Sequence, residues 1–366
     1  MVGGPGEVRT IWEEHGGIHI LDQTALPYRV ETLELSSLDV AAAAIRTMQV
    51  RGAPLIGATA AWGLALAARE DPSDAGLEAA RKTLVATRPT AVNLRWAVDR
   101  CLSRILGLPE EDRAEAAVQA ARELCETDVD TNRQLGRHAL RLLRARAREV
   151  DVSAERPLHL LTHCNAGRLA TVGWGTATSG IYQAHQEGLP IHVWVDETRP
   201  RRQGARLTAW ELGQAGVPHT VVPDVAAGHL LATGRVDLVV VGTDRTTGQG
   251  DVANKIGTYG VALAARDNGV PFYVAAPGSS IDFGMEDGTH IPIEERGEEE
   301  VTWITGETGD GSLAAVQLLP QGSPVANWAF DVTPARLITG IITERGVAKA
   351  SRESLAALFP DAGMED

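Results

Sequence analysis

The chain has 366 residues, of which 44% are hydrophobic, so it is long enough for two domains with sizeable cores. Its formal net charge of -14 argues against nucleic-acid binding, which would need a basic face, but leaves room for a small phosphorylated ligand. No apolar run approaches the ~18 residues of a membrane span, and the first ten residues lack the apolar core of a signal peptide. We therefore expect neither a nucleic-acid partner nor a membrane partner.

The first 150 residues are predicted to be mainly helical. A short strand over 18–21 precedes the helices, and Arg51-Gly-Ala-Pro-Leu-Ile-Gly57 interrupts the pattern between the first two. Pro109 followed by three acidic residues is typical of a helix start. The predicted helices cover 38–50, 57–69, 74–87, 91–106 and, as one helix or two, 109–149.

Strands alternate with helices after the polar segment 150–157, which we take as a domain boundary. This alternation predicts a parallel sheet with right-handed crossovers. Thr333 and Pro334 are predicted to begin one last helix. The predicted strands cover 158–162, 191–196, 220–222, 236–241 and 270–275, and helices are predicted at 204–214 and 256–266. The chain is thus α/β, with a mainly helical N-terminal domain over 1–150 and a second domain over 151–366.

Four polar clusters follow apolar segments, and three of them follow strands of the predicted sheet. Ligands bind at the carboxyl edge of open parallel sheets, so we expect these clusters to meet there. The clusters are 51–57, 162–167, 196–208 and 244–255.

Cys164 differs from the other two cysteines, because it lies where a strand runs into Asn-Ala-Gly. A thiol at such a loop and helix start can be partly ionised, although a buried structural cysteine remains an alternative. A dyad with His163 is disfavoured, since neighbours on a strand point to opposite faces. Cys101 and Cys125 are predicted to be buried inside helices. Three widely spaced cysteines indicate no disulfide framework and fit the reduced cytoplasm.

The sequence predicts no metal site and no nucleotide cofactor. His159 and His163 are separated along a strand by roughly 13 Å, too far to share an ion. A P-loop motif is missing from the sequence. Gly248 and Gly250 fit the looser dinucleotide-binding pattern only weakly. Six residues separate this pattern from the preceding strand, and no acidic residue ends the next strand.

Asp244 follows a buried apolar strand, which suits a general acid whose pKa is raised by burial. Nearby Lys255 or Arg245 would lower that pKa, so the net direction stays open, and a turn aspartate is the alternative role. Asp251 is the candidate helix cap, and Asp237 at the opposite end of the strand is predicted to be structural.

Cationic side chains border three of the loops and could hold a phosphate. Arg51, Arg88 and Lys255, with Asn254, are the candidates, and surface arginines are the alternative. The acid-rich segment 294–300 is predicted to be a solvated loop.

Eight motifs in order resemble methylthioribose-1-phosphate isomerase, a family related to the alpha, beta and delta regulatory subunits of the eukaryotic exchange factor for initiation factor 2. The resemblance covers nearly the whole chain. The motifs are RGAPLIG (51–57), RPTAVNL (88–94), THCNAG (162–167), DETRPRRQGARLT (196–208), GTDRTTGQGDVANKIGTY (242–259), VPFYVAAP (270–277), IPIEER (291–296) and FDVTP (330–334).

The resemblance implies a Rossmann-like second domain, a homodimer, and conversion of 5-methylthioribose 1-phosphate to 5-methylthioribulose 1-phosphate in methionine salvage. It implies no metal and no nicotinamide, because the reaction has no net redox change. Asp244 matches the proton donor and Cys164 the cysteine that stabilises the transition state. The matching substrate-binding positions are Arg51, Gly52, Ala53, Arg88, Gln203, Asn254 and Lys255.

The presence of both Cys164 and Asp244 favours an enzyme over a ligand-sensing regulatory subunit. Thr243 and Thr246 depart from the usual GADRI of the family and make the edge of the site more polar. The preferred 5-substituent therefore stays open, with 5-deoxyribose 1-phosphate and ribose 1,5-bisphosphate as alternative substrates.

Overall fold

The computed structural model describes residues 8–88 and 92–361. Its N-terminal part is a three-stranded antiparallel sheet followed by five helices. The strands are β1 Ile11–Glu14, β2 Gly17–Leu21 and β3 Thr32–Glu34, and the helices are α1 Leu38–Arg46, α2 Ala53–Glu70, α3 Asp74–Val85, α4 Val92–Ile105 and α5 Glu110–Glu149.

Helix α2 is the centre of the N-terminal part. Every residue from Leu55 to Ala68 is buried, and most of them are Ala, Gly or Leu, which let neighbouring helices approach closely. The helix begins at Ala53, with Pro54 in its first turn. Of the interruption predicted at 51–57, only Arg51 and Gly52 therefore lie before the helix. The predicted start of α4 at Ala91, and residues 89–91 of the second motif, lie outside the described residues.

Helix α5 is a single helix of 40 residues and connects the two cores. Its first half packs with α2 in one core, through residues such as Ala117 and Leu124. Its second half, including Leu135 and Leu143, packs in the core beneath the large sheet. The domain boundary at residue 150 stays a prediction, since the helix that precedes it belongs to both cores.

The C-terminal part contains a seven-stranded sheet in the order β16-β15-β10-β7-β4-β5-β6. Its strands are parallel except β16, which pairs antiparallel with β15. This confirms the predicted α/β class with a helical N-terminal part and a parallel sheet. The elements from 158 to 241 are β4 Leu158–Thr162, α6 Ala177–Gln186, β5 Ile191–Asp196, α7 Ala209–Gln214, β6 His219–Val222, α8 Ala226–Ala232 and β7 Leu238–Val241. The later elements are β8 Arg245–Thr247, β9 Val252–Lys255, α9 Thr258–Asp267, β10 Phe272–Ala275, β11 Ile281–Asp282, α10 Glu299–Thr302, β12 Trp303–Glu307, β13 Leu313–Gln317, β14 Phe330–Thr333, β15 Gly340–Thr343, β16 Gly346–Ala348 and α11 Arg352–Leu358.

A second sheet, β11-β8-β9-β14, occupies the region that was predicted to be a polar loop over 244–255. The polar pattern hid a hairpin because β8 and β9 are short and carry Thr, Asn and Lys on buried positions. Asp251 was predicted to cap α9, which is wrong. Its carboxylate accepts the main-chain N–H groups of Gly288 and Ala335, and Asp331 accepts those at the start of α9.

One further element prediction fails. Residues 330–333 form strand β14 rather than a helix start, because they pair with β9. The last helix, α11, begins later and is capped by Ser351, whose side chain accepts from Ser354 N. The predicted helix 204–214 is helical over its whole length, but residues 204–208 form a π-helical segment that leads into α7. In 8–88 and 92–361, every helix is too short or not apolar enough to cross a membrane.

Candidate active site

One cavity lies between the carboxyl edge of the large sheet and the N-terminus of α2. The structure brings all nine residues that the sequence singled out to its wall. They are Arg51, Gly52, Ala53, Arg88, Cys164, Gln203, Asp244, Asn254 and Lys255.

Asp244 lies just beyond the end of β7, where the chain turns into the β8–β9 hairpin. Its main-chain N–H donates to the carbonyl of Ala253 at 2.9 Å, which fixes the turn. Within the described residues, its carboxyl group has no hydrogen-bond partner. Burial raises the pKa of Asp244, while Lys255, Arg51 and Arg88 act in the opposite direction. The direction of the net pKa shift of Asp244, which the sequence left open, is therefore upward and favours the protonated carboxyl.

Cys164 follows β4 in a left-handed backbone conformation, with φ of 67°. A residue with a Cβ rarely adopts this conformation, and such residues cluster at functional sites. Its N–H donates to Thr198 Oγ1 at 2.8 Å, and its Sγ lies 3.3 Å from Gln203 Oε1. Burial raises the pKa of the thiol, against the influence of Arg51 and Lys255. The suggestion of a partly ionised thiol is therefore replaced by a protonated thiol that donates to Gln203.

Gly52 brings the start of α2 onto the C-terminal part. It has a φ of 90°, and a Cβ at this position would lie 2.4 Å from the Cα of Ala170. No other residue fits there without moving the backbone. The preceding residue, Arg51, is buried and donates to Asn165 through both terminal nitrogens, to Oδ1 and, at 2.7 Å, to the carbonyl oxygen.

Lys255 ends β9 and places a cation in the cavity from the opposite side. Its Nζ lies 4.6 Å from the centroid of the Phe330 ring, and burial lowers its pKa. Asn254 precedes it and donates to Thr258 Oγ1 at 3.0 Å, which leaves its Oδ1 as the side-chain group that a ligand could use.

Arg88 reaches the cavity from the helical part but is already paired. Its Nη2 lies 3.1 Å from Glu294 Oε2. The segment 294–300 was predicted to be a solvated loop. This prediction is wrong for Glu294 and Glu300, which both form ion pairs with arginines. Glu294 also contacts Arg296, while Glu300 contacts Arg296 and Arg201. Burial alone would raise the pKa of Glu300, but these two arginines bring it to about 2.

His163, Asp196 and Asp224 form one group whose potential metal-ligand atoms lie within 4.8 Å of one another, and the first two are buried. Most of these atoms already have partners. His163 Nδ1 and Nε2 lie 2.9 Å from Asp196 Oδ2 and from the carbonyl oxygen of Ile256. Asp224 accepts the N–H groups of Thr198 and Arg199. The group thus holds the ends of β4 and β5 together through hydrogen bonds.

Several residues of the site gave no usable signal in the sequence. Asn165 lies in a motif that was noted for its cysteine, and its role depends on the distant Arg51. Phe330 and Ile291 belong to later segments that reach the cavity only in the fold. Glu211 is buried behind Asn165 and reads in sequence as an ordinary helical glutamate.

The arrangement combines a carboxyl and a thiol whose pKa values are raised by burial with four cationic side chains, Arg51, Arg88, Arg245 and Lys255, in one cavity. A carboxyl of raised pKa can donate a proton near neutral pH. Arginine and lysine side chains are the usual partners of a phosphate group. The site is therefore suited to acid catalysis on a small phosphorylated molecule.

Comparisons with known proteins point to the same chemistry. Residues 49–350 match the Initiation factor 2 subunit family. A methylthioribose-1-phosphate isomerase of Rhodospirillum centenum is 60% identical over 356 residues, which are 96% of this chain and 94% of that protein.

Solved structures agree with these sequence relatives. The crystal structure of 5-methylthioribose 1-phosphate isomerase from Pyrococcus horikoshii has a TM-score of 0.82 and 40% identity, over 96% of both chains. The structure named as subunit delta of translation initiation factor eIF-2B from A. fulgidus has a TM-score of 0.77 and 38% identity, over 96% of this chain and 99% of that chain.

Proposed function

The chain belongs to the methylthioribose-1-phosphate isomerases of the initiation factor 2 subunit family, and we propose that the cavity around Asp244 is its active site. The enzyme is an intramolecular oxidoreductase of the aldose–ketose type. It converts 5-methylthioribose 1-phosphate to 5-methylthioribulose 1-phosphate in methionine salvage. The observation that supports this site best is the carboxyl of Asp244, which lines a cavity with four cationic side chains and has a raised pKa.

The substrate sets the first chemical problem. Phosphate on the anomeric oxygen prevents simple ring opening to a free aldehyde, so an acid must protonate the ring oxygen as its bond to C1 breaks. Asp244 fits this role, because burial raises the pKa of its carboxyl and so favours the protonated form that can donate. The hydrogen on C2 then moves to C1, as a proton or as a hydride, and the hydroxyl on C2 loses its proton. The result is a ketone at C2 with the phosphate still on C1.

Cys164 is proposed to stabilise the transition state from the carboxyl end of the neighbouring parallel strand β4. Its S–H donates to Gln203 Oε1 in the unliganded cavity, and burial favours the protonated thiol. With substrate bound, the same S–H would exchange this acceptor for a substrate oxygen that gains negative charge. Its left-handed backbone is fixed by the hydrogen bond from its N–H to Thr198 Oγ1, which sets where the side chain leaves the main chain. Both effects require a cavity from which bulk water is excluded.

The phosphate is proposed to bind between Arg51 and Lys255. Both side chains are buried and face the same cavity from different parts of the chain. Burial lowers the pKa of each, and a bound dianion would offset that cost. Arg88 is proposed to join them, although Glu294 already neutralises it in the absence of ligand.

The natural 5-substituent is tested by turnover. Purified protein is assayed with 5-methylthioribose 1-phosphate, 5-deoxyribose 1-phosphate and ribose 1,5-bisphosphate under identical conditions. We expect the highest kcat/KM with the methylthio sugar, because Met48, Ile56 and Ile291 make part of the wall apolar. Preference for the bisphosphate would overturn the substrate assignment, and no turnover of any of the three would favour a regulatory protein.

We also propose that the enzyme works as a homodimer in the cytoplasm. The family resemblance supports the dimer, and three buried free cysteines, Cys101, Cys125 and Cys164, suit a reducing compartment. Light scattering coupled to size-exclusion chromatography should give twice the chain mass of 38.9 kDa. A monomeric mass at assay concentration would refute the dimer.

A further inference from the structure

A chain of hydrogen bonds connects the cavity to a carboxylate that does not line it. Arg51 donates twice to Asn165, and Asn165 Nδ2 donates to Glu211 Oε1 at 2.9 Å. Asn165 is 2% exposed and Glu211 is fully buried. Glu211 is not part of the cavity wall, so it can influence a ligand only indirectly, through its hydrogen bond to Asn165 and through the effect of its charge on Arg51.

The orientation of the Asn165 amide is determined by its surroundings. Thr208 donates its hydroxyl hydrogen to the carbonyl of Cys164 at 2.7 Å, so its oxygen is free to accept from Asn165 Nδ2 at 3.0 Å. Glu211 accepts from the same Nδ2 group. Two acceptors therefore face the amide nitrogen, and the amide oxygen must face Arg51.

Glu211 uses both of its carboxylate oxygens. One accepts from Asn165, and the other accepts the main-chain N–H of Leu169 at 3.2 Å. Its approach depends on Gly167, because a Cβ at that position would lie 1.3 Å from Glu211 Oε1. The glycine of the Thr162–Gly167 motif thus makes room for a carboxylate that arrives from α7.

We propose that Glu211 is a positioning residue for phosphate recognition, which fixes the Asn165 amide so that Arg51 is held in the cavity. The inference rests on the proposed function in one respect, namely that Arg51 binds the substrate phosphate. A carboxylate is required because two N–H donors face it. A glutamine offers only one acceptor, so either Asn165 or Leu169 would meet an NH₂ group instead.

The first test is Glu211→Gln. We expect KM for 5-methylthioribose 1-phosphate to rise about tenfold with kcat changed by less than about threefold, since an interaction that supports binding is lost and the acid is untouched. Calorimetric titration with inorganic phosphate should show a matching loss of affinity. If Glu211→Gln does not fold, Thr208→Val removes the other acceptor of Asn165 Nδ2 and serves the same purpose.

The second test reverses the hydrogen bonds. Asn165→Asp alone places two carboxylates together and should raise KM. In the double variant Asn165→Asp with Glu211→Gln, the aspartate can accept from both Arg51 and the new glutamine, which still has an oxygen for Leu169. We expect its KM to be lower than that of either single variant.

Asp128→Asn is the matched control. Asp128 also accepts a main-chain N–H, from Val172, and an asparagine amide, from Asn132, and it lies away from the cavity. Burial raises the pKa of both Asp128 and Glu211 to about 7. The control should lower Tm without changing KM.

Three results would overturn the role of Glu211. These are an unchanged KM in Glu211→Gln, an equal rise of KM in Asp128→Asn, and a double variant no better than the single ones. A wild-type enzyme without turnover would count against the proposed function instead, and the phosphate titration would still decide the role of Glu211.

Discussion

The two walls of the cavity come from different parts of the chain and carry different groups. The wall from the start of α2 and from residue 88 supplies two arginines, each held by a partner, Asn165 or Glu294. The wall from the sheet edge supplies Cys164 and Asp244, whose pKa values are both raised by burial. The helical wall thus contributes only anion-binding groups, whereas the other wall carries the two protonatable groups together with Lys255, the proposed phosphate partner at the end of β9. Substitution of the arginines should therefore affect binding, and substitution of Asp244 should affect catalysis.

The largest effect is expected at the sheet wall. Asp244→Asn keeps the size of the side chain but cannot transfer a proton, and loss of general acid catalysis costs about 10²–10⁴-fold. We expect kcat to fall within that range with KM little changed. Asp237 lies at the other end of β7 and serves as the control. Asp237→Asn removes a carboxylate that accepts the N–H of His159, so it should affect only Tm. A well-folded Asp244→Asn enzyme within about tenfold of wild-type kcat would remove Asp244 from the mechanism.

The next effect is expected at the helical wall. Arg51→Ala should raise KM about 10- to 150-fold, because charge-assisted hydrogen bonds contribute about 1.5–3 kcal/mol. Its effect on kcat should be far smaller. Arg113→Ala is the matched control, since Arg113 is also a buried arginine but donates to carbonyl groups such as Leu108 O outside the cavity. Steady-state kinetics of both variants test this expectation. A large fall of kcat in Arg51→Ala would contradict the separation of the two walls.

A smaller effect is expected from the ion pair at the rim. Glu294→Gln should lower KM by about two- to fivefold, because pairs of this partly exposed kind contribute about 0.2–1 kcal/mol and Arg88 would become free for phosphate. Glu295→Gln changes the same charge at an exposed neighbouring position and should leave KM unaltered. A higher KM in Glu294→Gln would mean that Glu294 orients Arg88 rather than competing for it.

The smallest effect is on stability, and it has opposite signs at Asp244 and at Glu300. A raised pKa means that folding favours protonated Asp244, so stability falls as the pH rises through that pKa. Asp244→Asn should therefore melt about 1–3 °C higher than wild type at pH 8, and the gain should vanish below about pH 4.

Glu300 provides the contrast. Its pKa is lowered to about 2 by Arg296 and Arg201, so its stabilising contribution is present above the ordinary range of a glutamate and is lost as the pH falls towards 2. Glu300→Gln should melt below wild type at pH 7, with a deficit that shrinks below about pH 4. Calorimetry of both variants across this range checks the two signs, and a shift of the same sign in both would contradict the assignment of their environments.

The sequence predicted the sheet wall better than the hairpin behind it. The buried parallel strand β7 is a continuous apolar run and β4 is rich in leucine, and the carboxyl ends of these two strands locate Asp244 and Cys164. The β8–β9 hairpin was missed because Thr246 and Asn254 are polar yet buried, and only long-range pairing, of β8 with β11 and of β9 with β14, makes their burial favourable.

The partners of the cations could not be predicted. Arg51 meets Asn165 across 114 positions, and Arg88 meets Glu294 across 206 positions. No local pattern specifies such pairs, since each depends on how α2 and the segment 291–300 pack against the sheet. Glu211 illustrates the same limit, because its burial follows from the close approach at Gly167.

The most direct measurement is a crystal structure of Asp244→Asn with 5-methylthioribose 1-phosphate bound. The account predicts the phosphate within hydrogen-bond distance of Arg51 and Lys255, and the ring oxygen facing the side chain at position 244. A phosphate bound more than one contact shell from Arg51 and Lys255, or a ring oxygen turned away from position 244, would contradict it.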